Sequence, residues 1–254
     1  MSNKTRRFGI IGFPLSHSFS PGYFTAKFER EGITNCRYEA YPLPSLDQLP
    51  KLLAENPSLE GLNVTIPYKS QVIPYLHECS EEAATIGAVN VIKIKDGHLT
   101  GYNSDVYGFE KSLRNFLPNP LPPDLKALVL GTGGAAKAVR FVLRKIGVPY
   151  LLVSRQPSLK HLVYGGISPE IFQSHHLVIN TTPLGMAPGL NTCPPIPYEL
   201  FTPSHYCYDL VYNPEKTRFL ALAEAAGCPI QNGLSMLYLQ AERAWEIWNT
   251  ETSY

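Results

Sequence analysis

The chain has 254 residues, with 22 Lys and Arg against 21 Asp and Glu and a formal charge of +1. That balance leaves no basic field for nucleic acid or an anionic membrane surface, so a small molecule is the expected partner. At this length folding buries roughly 70–75% of the extended surface, and neither disulfides nor a metal are needed to close a core.

Short apolar runs alternate with helical patterns along the whole chain, the mark of an α/β protein with parallel strands. A strand over residues 8–11 leads through a Gly/Pro/Ser loop to a helix beginning near Ser20 and Pro21. Ser20 is its expected N-cap, with Pro21 in the first turn. Further strands are expected over 36–41, 61–65 and 89–94. Asp96-Gly97 is a hairpin turn signal, so the strand after it runs antiparallel. A helix over about 105–117 precedes a proline-rich stretch, 117–124, which is the clearest linker. The pattern then restarts with a strand over 125–130, a helix over 134–146 and strands over 150–153, 177–179 and 207–211. A last helix, 235–248, spreads Met236, Leu239, Ala244 and Ile247 around an apolar face. The break at the linker argues for an N-terminal domain followed by a nucleotide-binding one.

Cys36, Cys79, Cys193, Cys207 and Cys228 are scattered, form no CxxC pair and read as reduced thiols. The histidines include the adjacent His175 and His176 but no HExxH, so no metal is expected. The polar, basic N-terminus has no signal-peptide core, and no apolar run reaches the ~18 residues of a membrane span. The cytoplasm is the expected compartment.

Two stretches carry chemistry. In the first, Gly131, Thr132, Gly133, Gly134, Ala135 and Ala136 lie where an apolar strand gives way to a helix, with the spacing G-x-G-x-x-A of a dinucleotide fingerprint. Gly131 permits the tight turn, Gly133 admits backbone to a pyrophosphate, and Ala136 lets the helix pack closely on the sheet. The free N–H groups of the helix start then hold the phosphates. About 20 residues on, an NAD enzyme wants a carboxylate for the ribose 2′-OH. Here the strand ends Val153-Ser154-Arg155-Gln156, and Arg155 suits a 2′-phosphate instead, which favours NADP.

The second is a set of four polar islands: Ser16 to Pro21, Asn63 to Lys69, Gly87 to Asn90, and Asn103 to Asp105. Singly, each has an ordinary reading as cap, turn former, strand edge or solvated charge. Together with Asn180 to Met186, Tyr208 to Tyr212 and Gly233 to Gln240, their order and spacing resemble the shikimate dehydrogenase family over nearly the whole chain. The N-V-T-x-P-x-K block combined with N-x-D is the specific part.

The resemblance implies an N-terminal α/β substrate domain over 1–104, a Rossmann-type NADP-binding domain over 105–235, and a C-terminal helix, 236–254, packing back on the substrate domain. It implies NADPH-dependent reduction of 3-dehydroshikimate to shikimate, with Lys69 and Asp105 as the catalytic pair. Ser18 and Ser20 would bind the substrate carboxylate. Asn63, Thr65, Asn90, Tyr212 and Gln240 would contact the carboxylate or ring hydroxyls. On the cofactor side it implies Gly131, Thr132, Gly133, Gly134, Ala135, Ser154, Arg155, Thr181, Thr182, Leu210 and Gly233, with Glu81 at a neighbouring position. No metal, nucleic acid or membrane is implied, and the assembly is a monomer or homodimer. The chemistry of the residues agrees: an ammonium can stabilise the alkoxide formed on ketone reduction and donate its proton. A ring acid rich in hydroxyls calls for many Ser, Thr, Asn and Gln.

Several positions depart from the common family pattern. Ser154 stands for the usual Asn, Lys160 is the nearest later cation, Leu210 replaces Met, and Asn232 and Ser235 replace Asp and Gly. Two other readings share the motifs. A quinate or quinate/shikimate dehydrogenase would often carry an acidic residue after the second cofactor strand, and a non-catalytic NADP or ligand sensor would have lost Lys69 or Asp105.

Overall fold

The computed structural model describes residues 5–16 and 18–250. Residues 1–4 of the polar N-terminus, His17 of the first polar island and the last four residues lie outside them. The chain divides into two compact α/β units, Met1–Ser104 with Ala241–Tyr254, and Asp105–Gln240.

The first unit holds β1 (Arg6–Gly12), α1 (Phe19–Arg30), β2 (Cys36–Pro42), α2 (Leu49–Glu55), β3 (Leu59–Val64), β4 (Glu78–Cys79), α3 (Glu81–Ile86), β5 (Val91–Lys95) and β6 (His98–Tyr102). Its sheet runs in the order β2-β1-β3-β5-β6-β4. β1 pairs in parallel with β2 and β3, while β5 runs antiparallel to β3 and β6. The hairpin forms where the sequence placed it, with Lys95 opposite His98 and both Asp96 and Gly97 at positive φ. Helix α1 starts earlier than expected: Ser18, not Ser20, is the N-cap, and its side chain makes no capping bond. Ser20 lies inside the first turn and is buried.

β1 is apolar on both faces, as a strand covered on both sides must be. Phe8 and Ile10 face a core with Phe24, Phe28 and Tyr38 that also takes in Ala241, Ala244, Ile247 and Trp248 of the last helix. Ile11 faces the other core, with Leu49, Leu62, Val72 and Ile92. Trp248 stacks on Phe8 at 4.9 Å between ring centroids and donates its indole N–H to the Ile92 carbonyl at 3.0 Å.

The second unit follows α4 (Ser104–Phe116) with β7 (Ala127–Leu130), α5 (Gly134–Lys145), β8 (Tyr150–Ser154), β9 (Leu162–Val163), α6 (Pro169–Gln173), β10 (Leu177–Asn180), β11 (Tyr206–Asp209), α7 (Arg218–Ala225), β12 (Ile230–Gln231) and α8 (Leu234–Asn249). The sheet is parallel throughout, in the order β12-β11-β10-β7-β8-β9. Reading outward from β7, this is the doubly wound order of a Rossmann unit, whose strand direction of travel reverses between β7 and β10. The division between units falls inside α8, between Gln240 and Ala241, whereas the sequence placed it at residue 236. Among the described residues no helix is long and apolar enough to cross a membrane.

Candidate active site

In an open α/β sheet, ligands bind outside the carboxyl ends of the strands. In the first unit those ends carry most of the polar islands. Ser18 and Thr65 are half-buried there, while Ser20, Asn63 and Asn90 are buried. A run of hydrogen bonds joins two of them, Asn63 and Asn90, to Tyr38 of β2. Tyr38 donates to Asn63 Oδ1 at 2.7 Å, and Asn63 Nδ2 donates to the Asn90 carbonyl at 3.3 Å. Asn90 then fixes the start of α4, accepting the Ser104 N–H at 2.7 Å and donating Nδ2 to Ser104 Oγ at 3.0 Å. Buried amides are held only when their groups are paired, so each residue of this run restrains the next.

Lys69 sits on the turn that follows β3. Thr65 opens the turn by donating its N–H to Ile11 of β1, and its carbonyl accepts from Tyr68 N–H. The far side is tied down twice: Val89 N–H donates to the Lys69 carbonyl at 2.7 Å, and Ser70 Oγ donates to the Gly87 carbonyl at 2.9 Å. The Gly87 to Asn90 island therefore serves as a clamp for the Lys69 turn. The Lys69 side chain is half-buried. Asp105 is half-buried in the first turn of α4, one residue beyond the Ser104 that Asn90 anchors.

In the second unit the glycine turn lies at the point where the strand order reverses. Gly131 has φ +109°, a conformation open to glycine, and a Cβ there would lie 2.7 Å from Thr181 Oγ1. Thr181 binds the end of β7 through its N–H and Oγ1, both donating to the Leu130 carbonyl. Thr132, Gly133 and Gly134 are exposed, with Ala135 half-buried beside them, and a Cβ on Gly133 or Gly134 would meet nothing within 4 Å. No side chain caps the N-terminus of α5. An uncapped helix start under open backbone is a fit for a pyrophosphate, since the first-turn N–H groups need an acceptor. Buried Ala136 gives the close helix-to-sheet packing.

Ser154 ends β8 half-buried, and Arg155 is exposed just beyond it. Burial raises the Tyr164 phenol, while the charge of Arg155 draws it down. Glu81 belongs to the first unit, exposed in the first turn of α3, where Ser80 is the cap and a carboxylate suits the helix dipole.

Thr182, Leu210 and Gly233 are drawn together by a centre that the motifs do not single out. Asp209, fully buried at the end of β11, accepts from Asn180 Nδ2 (2.9 Å), Val211 N–H (3.0 Å) and Thr217 Oγ1 (2.6 Å). Burial pushes its carboxyl up to about 6, against these three donors, which favour the ionised form. Asn180 in turn accepts from both the N–H and Oγ1 of Thr182, and its carbonyl takes the Leu210 N–H. Gly233 N–H donates to the Val211 carbonyl, and a Cβ on Gly233 would come 2.1 Å from the Leu210 carbonyl oxygen. Only glycine fits there. Tyr212 is half-buried, its phenol raised by burial. Gln240 is buried on α8 and donates Nε2 to the Leu237 carbonyl.

Residues 10–92 match the family described as the shikimate dehydrogenase substrate binding domain. The NADP(+)-type shikimate dehydrogenase of Syntrophomonas wolfei is 37% identical over 264 residues, covering 96% of this chain and 89% of its own. The chain belongs to the shikimate dehydrogenase family. Among solved shikimate dehydrogenases, that of Thermus thermophilus, in complex with NADP(H) and shikimate, superposes with a TM-score of 0.84 at 35% identity, covering 96% of this chain and 94% of its own. Quinate dehydrogenase from Corynebacterium glutamicum, in complex with NAD, gives a TM-score of 0.85 at 29% identity over 97% and 94%.

The motifs do not single out the buried residues that stand behind the proposed site. Asp209 and Asn180 occur inside quoted motifs, so their presence was a signal without an assigned task. Tyr38 had no motif at all. Its sole mark was an aromatic ring with a polar tip at an inward position of β2, whose burial alternates. Asn232, a departure from the family pattern, accepts the Leu234 N–H at the start of α8, a capping bond that an Asp could also make.

Proposed function

We propose that this protein is a shikimate dehydrogenase, catalysing the reversible NADPH-dependent reduction of 3-dehydroshikimate to shikimate on the route to chorismate and the aromatic amino acids. The observation that carries the reading is full-length likeness to a dehydrogenase bound to NADP(H) and shikimate, combined with Lys69 and Asp105 retained on doubly anchored backbone.

When bound, NADPH supplies the hydride. Lys69, as ammonium, stabilises the oxygen of the ring ketone as charge develops on it and delivers the proton. Asp105 orients that ammonium and accepts from the neighbouring ring hydroxyl. Ser18 and Ser20 bind the substrate carboxylate, and Asn63, Thr65, Asn90, Tyr212 and Gln240 bond the carboxylate or the hydroxyls. A site built for hydroxyls rejects ring acids lacking them, because its buried polar groups are then left unpaired. The turn from Gly131 to Ala135 holds the pyrophosphate, and Ser154 and Arg155 take the 2′-phosphate. Thr181, Thr182, Leu210 and Gly233 border the nicotinamide, with Glu81 on the cofactor side.

The partner is the small-molecule substrate, and neither nucleic acid nor membrane is engaged. The five cysteines are free thiols, which suits a cytoplasmic enzyme working as a monomer or homodimer. Purified protein offered shikimate and quinate, each with NADP+ and NAD+, tests the reading. Rapid NADP+ reduction with shikimate and little with quinate is expected. Preference for quinate with NAD+ would move the protein to the quinate group, and no turnover with either acid would remove the activity.

A further inference from the structure

The hydrogen-bond run behind the substrate-side residues has a fixed polarity, and one of its members has no part in the scheme above. The Asn90 carbonyl can only accept, so the side-chain nitrogen of Asn63 faces it. Asn63 Oδ1 therefore faces Tyr38, and the phenol must donate to it. The phenol's single proton is then committed to that bond. Tyr38 and Asn63 are 7% and 5% exposed, so both groups depend mainly on each other for their hydrogen bonds.

We propose that Tyr38 is a positioning residue for substrate binding: its hydroxyl locks the Asn63 amide so that Asn63 presents an N–H donor, not an acceptor, to an oxygen of the ring acid. The inference rests on the functional reading above and adds a specificity element to the same site. Without the phenol proton, Asn63 Oδ1 is an orphaned buried acceptor. Turning the amide over would only set that oxygen against the Asn90 carbonyl. Neither orientation is then held, and the donor presented to the substrate is lost.

Tyr38→Phe removes one oxygen and keeps the ring that stacks on Phe24 at 4.5 Å. The expected result is a KM for shikimate raised by ~5–50-fold, with KM for NADP+ unchanged within about twofold and kcat within about threefold. Because Tyr38 acts through Asn63, the same change made on an Asn63→Ala background should add less than about twofold. An unchanged shikimate KM in folded Y38F, an equal rise for both substrates, or full multiplication of the two effects overturns the proposal. Wild-type protein that fails to oxidise shikimate sinks the functional reading, and this inference with it. Should Y38F not fold, NMR of the wild type reads the same arrangement. One Asn63 side-chain proton is expected to move on adding shikimate while the other, on the Asn90 carbonyl, stays. Two protons averaged by rotation, or neither responding, counts against it.

Discussion

At the residue scale, the role proposed for Lys69 gives it two tasks at one oxygen, stabilising charge and handing over a proton, while its position comes from backbone bonds made by its neighbours. Removing the amine should therefore damage chemistry more than binding. Lys69→Ala is expected to lower kcat by ~10²–10⁴ with a smaller rise in KM, read from steady-state kinetics. Turnover equal to wild type would take Lys69 out of the reaction. The role proposed for Arg155 has the opposite profile, since Arg155 is an exposed cation whose value would depend on the ligand's own charge. Arg155→Ala should raise the KM for NADPH and leave that for NADH nearly unchanged. Equal losses with both cofactors would refute a 2′-phosphate contact. Both residues could be nominated from the sequence because the chemistry proposed for them is local: an ammonium in a specific block, and a guanidinium where a carboxylate is usual. Tyr38 could not be, because the partner its proposed role acts through lies 25 positions away and only the pairing of strands brings it near.

At the element scale, the turn leaving β11 is organised by a carboxyl that pays for its burial with three donated bonds. Asp209 holds its proton more tightly in the folded chain, near pH 6, than at its ordinary value of 3.8. The folded state thus binds more protons between those values, and stability falls as pH rises through that window. The full effect is on the order of 3 kcal/mol and is complete a little above pH 6. Asp209→Asn removes the titration, so denaturant midpoints of wild type and D209N should shift in favour of wild type as pH drops from 7 to 4.5. A difference independent of pH would show that this carboxyl titrates alike in both states. The longer elements followed from periodicity and turn chemistry, with ends displaced by a residue or two. β4, β9 and β12, of two residues each, carry no periodic signal, and they exist because a neighbouring strand offers them a ladder. The N-cap of α1 is Ser18, two residues before the expected Ser20, which lies buried inside the first turn.

At the scale of the whole molecule, the sequence announced two α/β units but not the order of strands within either. Parallel crossovers let β7 sit beside β10, some fifty residues on, and no local pattern records that choice. The C-terminal helix packing on the first unit came from family resemblance, and its physical cause is visible in Trp248 against Phe8.

That packing gives the chain a timetable. Arg6 reaches Asn249 across 243 positions, so β1 is made long before α8, the helix that completes its core. Residues 105–240 form an unbroken stretch whose sheet needs nothing made later. During synthesis the middle of the polypeptide should become protease-resistant before its beginning does, since domains mature as units. Nascent chains arrested soon after residue 240 and treated with protease test this, and early resistance of residues 5–104 would reverse the sequence of events.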